Sequence, residues 1–411
     1  MKGMLRFTVL VLLSLGLLLP GLNASNKKDG DLPSAIHNFV KGINDKSLDV
    51  LKSSLALDFM IDGVPASLND MVLRQLVSER MPAYIAYRVK TSQKQGTRTV
   101  HTVTLANKYG IFDYKFETDS KDLITSTSLL SREIPKSLMH ANAKLHDFAE
   151  IPIRVEHDMT LIRCELNGVE GDFLLRNSNR NLTINSRFLV AEKENDKTDQ
   201  NEYGVAPLKK FAFAGATYTN IDAISQDLSF LERDLGLEIM GIVGTSVLEA
   251  FETHYDYQNS KLLLYRLDSE GLIAGEIKPP APRQKLKIEQ KGSQMLVKAN
   301  LGKKNLKLAF DNGLQQNILN QTLSKKLERV SSMGSAKKIY TADLQTLDAV
   351  SYSVSTNKIG KTDLGNMDCV YMDMSTLIKQ SYAKFDGYLG LPFFQNQKIS
   401  INYRRATLGV Y

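Results

Sequence analysis

The chain has 411 residues, of which 43% are hydrophobic and 24% charged, and its formal net charge is +7. This composition excludes the disordered and fibrous classes, and the length predicts two or three folded domains. The lysines are scattered, with no long basic run and no interleaved aromatic residues. The sequence therefore does not predict nucleic-acid binding and favours solvated charged faces.

Cysteine and histidine are too few for the sites they usually build. The two cysteines, Cys164 and Cys369, can form neither a disulfide framework nor a zinc site, and the six histidines show no ligand spacing. We therefore expect no metal and no cofactor. Two buried free thiols are favoured over one bridge, and the sequence leaves both open.

The N-terminus has the order of a secretory signal peptide. Lys2 and Arg6 precede the apolar run Phe7 to Leu19, and a small-residue site follows near Ala24. We predict a signal peptide over residues 1–24 and a secreted or periplasmic protein, with a retained anchor as the alternative. No later segment is long and apolar enough to predict a membrane span.

Residues 30–135 are predicted to form an α+β domain. Helical periodicity covers Ser34 to Ile43, Leu48 to Leu55 and Leu68 to about Met81. Alternating strands then follow, and their predicted ranges are Tyr84 to Thr91, Thr97 to Ala106, Gly110 to Thr118 and Leu123 to Leu130. Helices followed by a curved antiparallel sheet resemble the cone-shaped NTF2-like fold. Asp58, Asp62 and His101 are isolated in this segment and predict no catalytic site there.

From Ile151 the chain is rich in strands, and the segment Asp268 to Pro282 interrupts them. Its three prolines and two glycines disfavour regular pairing and predict a linker. The sequence thus predicts one unit over residues 150–267 and a second over residues 283–411.

The two units repeat one pattern. Leu174 to Asn185 reads LLRNSNRNLTIN and Leu308 to Leu319 reads LAFDNGLQQNIL. A spacing of 135 positions, one more than that between the first letters of the two runs, aligns Arg176 with Asp311. The run Gly241 to Gly244 matches the run Gly387 to Gly390 at a spacing of 146. Five identities share that second spacing: Asn220, Asp222, Asp227, Ser229 and Leu231 match Asn366, Asp368, Asp373, Ser375 and Leu377. These matches predict an internal duplication of a β-rich lobe.

The repeated plan is a strand, an acid-X-Gly turn, further strands and a glycine-flanked apolar pair before a short helix. It resembles the pepsin and retropepsin superfamily of aspartic peptidases, most closely the bacterial retropepsin-like kind, over about residues 150–411. The resemblance implies a mostly β fold of two homologous retropepsin-like β-barrel lobes. It also implies two facing carboxylates that share one proton, one of them activating water and the other protonating the carbonyl.

Both turns depart from that pattern. Asp311 is the candidate catalytic residue, with Asn312 and Gly313 as turn and cleft residues, but Asn312 stands where the family has a hydroxyl residue. The partner site is degenerate and reads Arg176, Asn177 and Ser178. If the lobes pair as in the family, Arg176 faces Asp311. A guanidinium there is expected to lower the pKa of Asp311 and keep it ionised. Arginine cannot replace the missing acid because it does not deprotonate.

The sequence therefore predicts an exported, catalytically impaired pseudo-peptidase whose cleft between the lobes binds a peptide, protein or other ligand. One alternative is an active aspartic endopeptidase that uses Asp311, for example as a homodimer. Another is a structural or interaction protein. The repeated acids Asp222, Asp368, Asp227 and Asp373 are expected at surface or turn positions. The segment Glu202 to Phe213 is predicted to form a flap hairpin, with Tyr340 to Leu347 as its lobe-two counterpart.

Overall fold

The computed structural model describes residues 32–61, 69–77, 83–107, 110–129, 143–192, 203–291, 294–340, 346–375, 378 and 384–411. The predicted signal peptide, residues 1–24, lies outside these residues and stays a prediction. No helix in the described residues is long and apolar enough to cross a membrane. The chain is mostly β, as predicted.

In the described residues of the N-terminal unit, which spans residues 32–129, three helices lie beside a five-stranded sheet. Helix α1 buries Ile36, Phe39, Val40 and Ile43, the one-sided spacing that its sequence predicts. The helices are α1 (Ser34–Asn44), α2 (Leu48–Lys52) and α3 (Asn69–Leu76). The strands are β1 (Leu55–Ile61), β2 (Tyr84–Gln95), β3 (Arg98–Asn107), β4 (Gly110–Thr118) and β5 (Ile124–Thr127), in the order β1-β5-β4-β3-β2.

Strand β1 was not predicted. The sequence pattern extends the second helix to Leu55, but helix α2 ends at Lys52 and the chain turns into a strand that runs parallel to β5. Leu55 pairs with Ile124, far along the chain, so the pairing that forms the strand is invisible to local periodicity.

Lobe one, residues 143–267, is a barrel with short helices. Its strands are β6 (Ala143–Lys144), β7 (Phe148–Pro152), β8 (Arg154–Glu156), β9 (Met159–Leu166), β10 (Val169–Leu175), β11 (Thr183–Asn185), β12 (Tyr203–Phe213), β13 (Ala216–Gln226), β14 (Gly241–Val243), β15 (Phe251–Asp256) and β16 (Lys261–Arg266). Helices α4 (Ser229–Leu235) and α5 (Thr245–Leu248) flank β14. The order β10-β14-β11-β13-β12-β9 closes because β9 also pairs with β10.

Lobe two, residues 283–411, repeats this barrel. Its strands are β17 (Gln284–Lys287), β18 (Glu289–Lys291), β19 (Gln294–Leu301), β20 (Lys304–Phe310), β21 (Asn317–Asn320), β22 (Ser331–Tyr340), β23 (Thr346–Ile359), β24 (Thr362–Met372), β25 (Gly387–Leu389), β26 (Ile399–Asn402) and β27 (Thr407–Val410). Two helices of lobe two lie wholly within the described residues, α6 (Ser324–Leu327) and α7 (Leu391–Asn396). The order β20-β25-β21-β24-β23-β19 closes through the pairing of β19 with β20.

The strand registers of the two barrels agree residue by residue. In lobe one Leu174 pairs with Ile242, and in lobe two Ala309 pairs with Tyr388. These pairs follow the two spacings in the sequence, because 309 − 174 is 135 and 388 − 242 is 146. The parallel pairs β11–β13 and β21–β24 keep the same relation. The duplicated plan predicted from the sequence is therefore present in the backbone.

A six-stranded antiparallel sheet joins the lobes, in the order β17-β27-β26-β15-β16-β7. Strand β15 of lobe one pairs with β26 of lobe two, and His254 lies opposite Ser400. The two residues are 146 positions apart, so each pairs with its own counterpart. The approximate two-fold axis of the duplication therefore passes between His254 and Ser400. Asp268 to Pro282, the predicted linker, contains no named strand or helix.

The N-terminal unit packs on lobe one. Ala86 and Ala106 of its sheet share an apolar cluster with Ile224 of β13. Beside this cluster Arg88 Nη2 lies 2.5 Å from Asp222 Oδ1, and Lys90 Nζ lies 3.2 Å from Asp222 Oδ2. Asp222 is therefore a contact between the two units rather than a free surface position.

Candidate functional site

The two turns of interest lie where β10 and β20 end, each beside the following glycine-flanked strand. Arg176 donates its backbone N–H to Val243 O at 3.0 Å, and Asp311 donates its backbone N–H to Leu389 O at 3.0 Å. The same backbone bond therefore fixes both positions. Arg176 and Asp311 are structural counterparts, as the sequence alignment predicts.

Gly244, which follows β14, and Gly390, which follows β25, allow a close approach of the backbone of each turn. A Cβ at Gly244 would collide with the carbonyl oxygens of Asn179 and Asn181, and a Cβ at Gly390 would collide with those of Leu314 and Gln316. The turns therefore cross directly over these glycines. This packing explains why both sequence runs end in glycine.

Two asparagines join the turns across the lobe interface. The backbone N–H of Asn177 donates to Asn312 Oδ1 at 2.8 Å, and the backbone N–H of Asn312 donates to Asn177 Oδ1 at 2.9 Å. Both residues are fully buried and occupy equivalent positions, so the bond pair follows the two-fold axis. An amide oxygen here makes the cross-lobe bond for which the resemblance implies a hydroxyl.

The symmetry of this asparagine pair is incomplete. Asn312 Nδ2 donates to Leu175 O at 2.9 Å and lies 3.4 Å from the hydroxyl oxygen of Tyr257. Asn177 Nδ2 is buried, and the described residues offer it no hydrogen-bond acceptor. Asn312 is therefore the more strongly held member of the pair.

Arg176 faces Asp311, as predicted. Arg176 Nη2 lies 3.8 Å from Asp311 Oδ1, and that oxygen also accepts the backbone N–H of Gly313 at 2.9 Å. The Asp311 side chain is 0% exposed and that of Arg176 is 20% exposed. The guanidinium lies over Gly313, where a Cβ would collide with its Nε and Nη2 atoms. Arg176 thus covers the acid-bearing turn and forms part of the surface above it.

The prediction that the pKa of Asp311 is lowered was wrong in direction. Burial raises the pKa of Asp311, and this effect outweighs the opposing influence of Arg176, the Gly313 N–H and Ser178. The physical reason is geometric, because the ion pair is long and the carboxyl is fully desolvated. No hydrogen-bond donor among the described residues reaches Asp311 Oδ2.

The repeated acids have structural contacts. Asp227 Oδ1 accepts the N–H of Ser229 at 2.8 Å, and Asp373 Oδ1 accepts the N–H of Ser375 at 2.9 Å. The two bonds close equivalent turns in the two lobes, which confirms the turn role predicted for Asp227 and Asp373. Asp368 is exposed.

The flap prediction was wrong in its extent. Residues 203–213 form one strand, β12, which pairs with β13 and with β9 in the barrel wall. Its counterpart by pairing is β23, whereas Tyr340 to Leu347 spans the connection between β22 and β23. Residues 341–345 lie outside the described residues.

Both cysteines are buried free thiols, Cys164 in β9 and Cys369 in β24. Burial raises the pKa of each thiol, so neither is a reactive thiolate near neutral pH. Within the described residues no group of three or more His, Cys, Asp or Glu is placed to hold a metal ion.

Sequence reasoning missed a polar cluster at the other end of the axis. Glu252 Oε1 accepts the hydroxyl of Ser400 at 3.2 Å and lies 3.5 Å from His254 Nε2, and Glu252 Oε2 accepts from Asn402 Nδ2 at 3.2 Å. Burial opposes the charge of Glu252, but its hydrogen bonds to His254 and Asn402, together with Lys285, lower its pKa to about 2. Polar residues in two short strands carry no sequence signal that they meet across a lobe joint.

No family model matches the sequence, and no curated protein matches it. Among solved structures, basic 7S globulin from soybean is similar at 8% identity and a TM-score of 0.38, covering 64% of this chain and 94% of its own. The protein described as EDGP is similar at 8% identity and a TM-score of 0.41, with the same coverage. Both scores are low, so the fold described above rests on the strand pairings.

Proposed function

We propose that this protein is an aspartic-peptidase-like binding protein that does not hydrolyse peptides. The observation that carries the proposal is the guanidinium of Arg176, which faces Asp311 and lies over Gly313. The shared-proton mechanism requires a second carboxylate at that position, and a permanent cation can neither accept nor donate the proton.

The burial of Asp311 supports the same proposal. A general base must reach the water or the group from which it takes a proton. The Asp311 side chain is fully buried and the guanidinium lies between its turn and the surface. The raised pKa of Asp311 does not restore activity, because one carboxyl without an acidic partner cannot run both halves of the reaction.

The test is a cleavage assay with unfolded protein substrates from pH 3 to 8. The wild type and the Asp311→Asn variant should both be inactive at every pH. The Arg176→Asp/Ser178→Gly double variant should gain activity that is strongest in acid, because it restores two facing carboxyls and the second turn glycine. Cleavage by the wild type that disappears in Asp311→Asn would refute the proposal.

The first alternative, an active homodimer joined through lobe two, is less well supported. Asn312 already bonds Asn177 of the same chain, and β26 already pairs with β15. A second chain would have to displace both contacts before two copies of Asp311 could meet. The second alternative, a structural or interaction protein, requires no ligand at the lobe interface.

The ligand we propose for the site is an extended peptide bound over Arg176 and Gly313, the two turn residues that are partly exposed. Such a peptide would be held by strand-type backbone hydrogen bonds. Titration with a peptide library should show binding that Arg176→Ala weakens. Binding that this substitution leaves unchanged, or no binding at all, would favour the structural alternative.

We also propose that the protein is exported after removal of residues 1–24 and that it is secreted or periplasmic. The charged, apolar and small-residue order of the N-terminus supports this. Mass measurement of the mature protein after expression in its own cells should give a chain that begins near Ser25. A chain that keeps its apolar segment would favour the retained anchor. The NTF2-like resemblance of the N-terminal unit remains a prediction.

A further inference from the structure

Lobe two carries all of the excess positive charge of the chain. Residues 283–411 contain 20 Lys and Arg against nine Asp and Glu, a formal charge of +11, whereas residues 1–282 contain 32 against 36, a charge of −4. The modest net charge of +7 therefore hides a strong asymmetry between the two parts of the chain. Such an asymmetry is typical of proteins that contact an anionic surface or polymer.

The basic residues of the two parts also differ in their partners. In the N-terminal unit and lobe one, many of them form ion pairs, including Lys52, Arg74, Arg88, Lys90, Arg98, Arg154, Arg163, Arg180, Arg187, Lys210, Lys261 and Arg266. In lobe two, ion pairs in the described residues involve only Lys307 and Lys398. The charge of lobe two is therefore left largely uncompensated.

Part of this charge converges at one place. The side chain of Val330 packs against Gly302, the turn residue between β19 and β20. Arg329 and Lys303 are the chain neighbours of these two residues, so the contact brings their backbones together. Lys326 precedes Arg329 by three residues in the adjoining helical segment, where this spacing places two side chains on neighbouring positions.

We define the basic patch as Lys303, Lys304, Lys325, Lys326 and Arg329. All five residues are exposed, and within the described part of the chain none of them forms an ion pair. Glu328 is the acidic residue within this set of segments.

An exposed apolar side chain lies close to the patch in the chain. Met333 is 71% exposed on the edge strand β22, four residues after Arg329. Lysines predominate over arginine in the patch, and lysine acts as a hydrated point charge rather than a bidentate fork. Diffuse positive charge followed closely in the chain by an exposed apolar side chain suits an anionic bilayer surface better than an ordered polyanion.

We infer that lobe two docks on an anionic lipid surface through the basic patch and Met333. The attraction is electrostatic, so it requires anionic headgroups and weakens as salt is added. This inference concerns attachment to a surface and does not depend on what the site between the lobes binds.

The test measures binding of the full chain to vesicles of phosphatidylcholine with about one third phosphatidylglycerol, and to vesicles of phosphatidylcholine alone. The wild type should bind the anionic vesicles and not the neutral ones. The variant Lys303→Glu/Lys326→Glu/Arg329→Glu should bind about 100-fold more weakly. Met333→Ser should weaken binding by a smaller factor.

A matched control separates the patch from net charge. Lys94, Lys115 and Lys121 are exposed residues of the N-terminal unit, and Lys94→Glu/Lys115→Glu/Lys121→Glu changes the charge equally. This variant should keep the binding of the wild type. An equal loss of vesicle binding in both triple variants would refute the role of the basic patch. Equal binding of the wild type to both kinds of vesicle would refute the electrostatic basis of the attachment.

Circular dichroism of each variant should match that of the wild type, because the exchanged side chains are exposed. A short DNA duplex forms the last arm of the experiment. Tight binding of the duplex without binding of anionic vesicles would replace the lipid surface with a nucleic acid and overturn the inference.

Discussion

The asparagine pair at the lobe interface predicts an unequal response to one substitution. In Asn312→Ala, the N–H of Asn177 and the carbonyl of Leu175 both lose their buried partners. Each unsatisfied buried group costs about 1–3 kcal/mol, so the free energy of unfolding should fall by about 2–6 kcal/mol. In Asn177→Ala only the N–H of Asn312 loses its partner. That substitution also removes Nδ2, a buried donor without an acceptor in the described structure.

The variant Asn312→Ala should therefore be less stable than Asn177→Ala by about 1–3 kcal/mol. The chain has no tryptophan, so urea unfolding is best followed by far-UV circular dichroism. Asn185 is the matched reference, because it is buried within lobe one and its amide bonds Ile239 O and Leu228 N–H. Asn185→Ala should resemble Asn312→Ala. Equal losses of unfolding free energy in the two variants, or a larger loss in Asn177→Ala, would refute the assignment of the bonds.

Three further predictions concern charge. The raised pKa of Asp311 gives a stability contribution that is full below its unfolded value of 3.8 and is lost as pH rises. As pH rises from 4 to 8, the free energy of unfolding of Asp311→Asn, measured in urea, should increase relative to that of the wild type. A steady decrease relative to the wild type would mean that Arg176 holds the acid ionised. Glu252 is the opposite case: the free energy of unfolding of Glu252→Gln at pH 7 should be about 3 kcal/mol lower than that of the wild type, a gap that closes as the pH falls from 4.5 to about 2. A gap constant with pH would contradict this. Asp222→Asn should loosen the N-terminal unit and speed its release by limited proteolysis, while Asp368→Asn, the exposed counterpart, should not.

Much of the lobe architecture could be predicted from the sequence because the chain contains its own comparison. The spacings of 135 and 146 positions predicted which residues are equivalent, and the strand registers follow both. The facing positions of Arg176 and Asp311 followed from the same alignment. The reason is physical: the glycine loops and the turns above them need one fixed backbone approach, which leaves a local sequence pattern.

Other features depend on contacts that no local pattern records. Strand β1 exists because of its pairing with β5, and the pKa of Asp311 depends on how completely the lobes exclude water. The charge of lobe two was visible in the sequence but was obscured by counting the chain as a whole. A count for each predicted unit would have shown it.

The two lobes differ in a way that bears on what the fold is kept for. Equivalent backbone positions bond alike at both ends of the two-fold axis: Asn177 meets Asn312 at one end, and His254 lies opposite Ser400 at the other. Symmetry is lost at the residues before and after the asparagine pair, where Arg176 and Ser178 stand opposite Asp311 and Gly313. The backbone contacts that assemble the lobes are thus kept on both sides of the axis, while the pair of acids is not. The amide pair and the joint sheet hold the two lobes together although the two acids are not paired, which supports the proposal made above that the lobe interface binds a ligand.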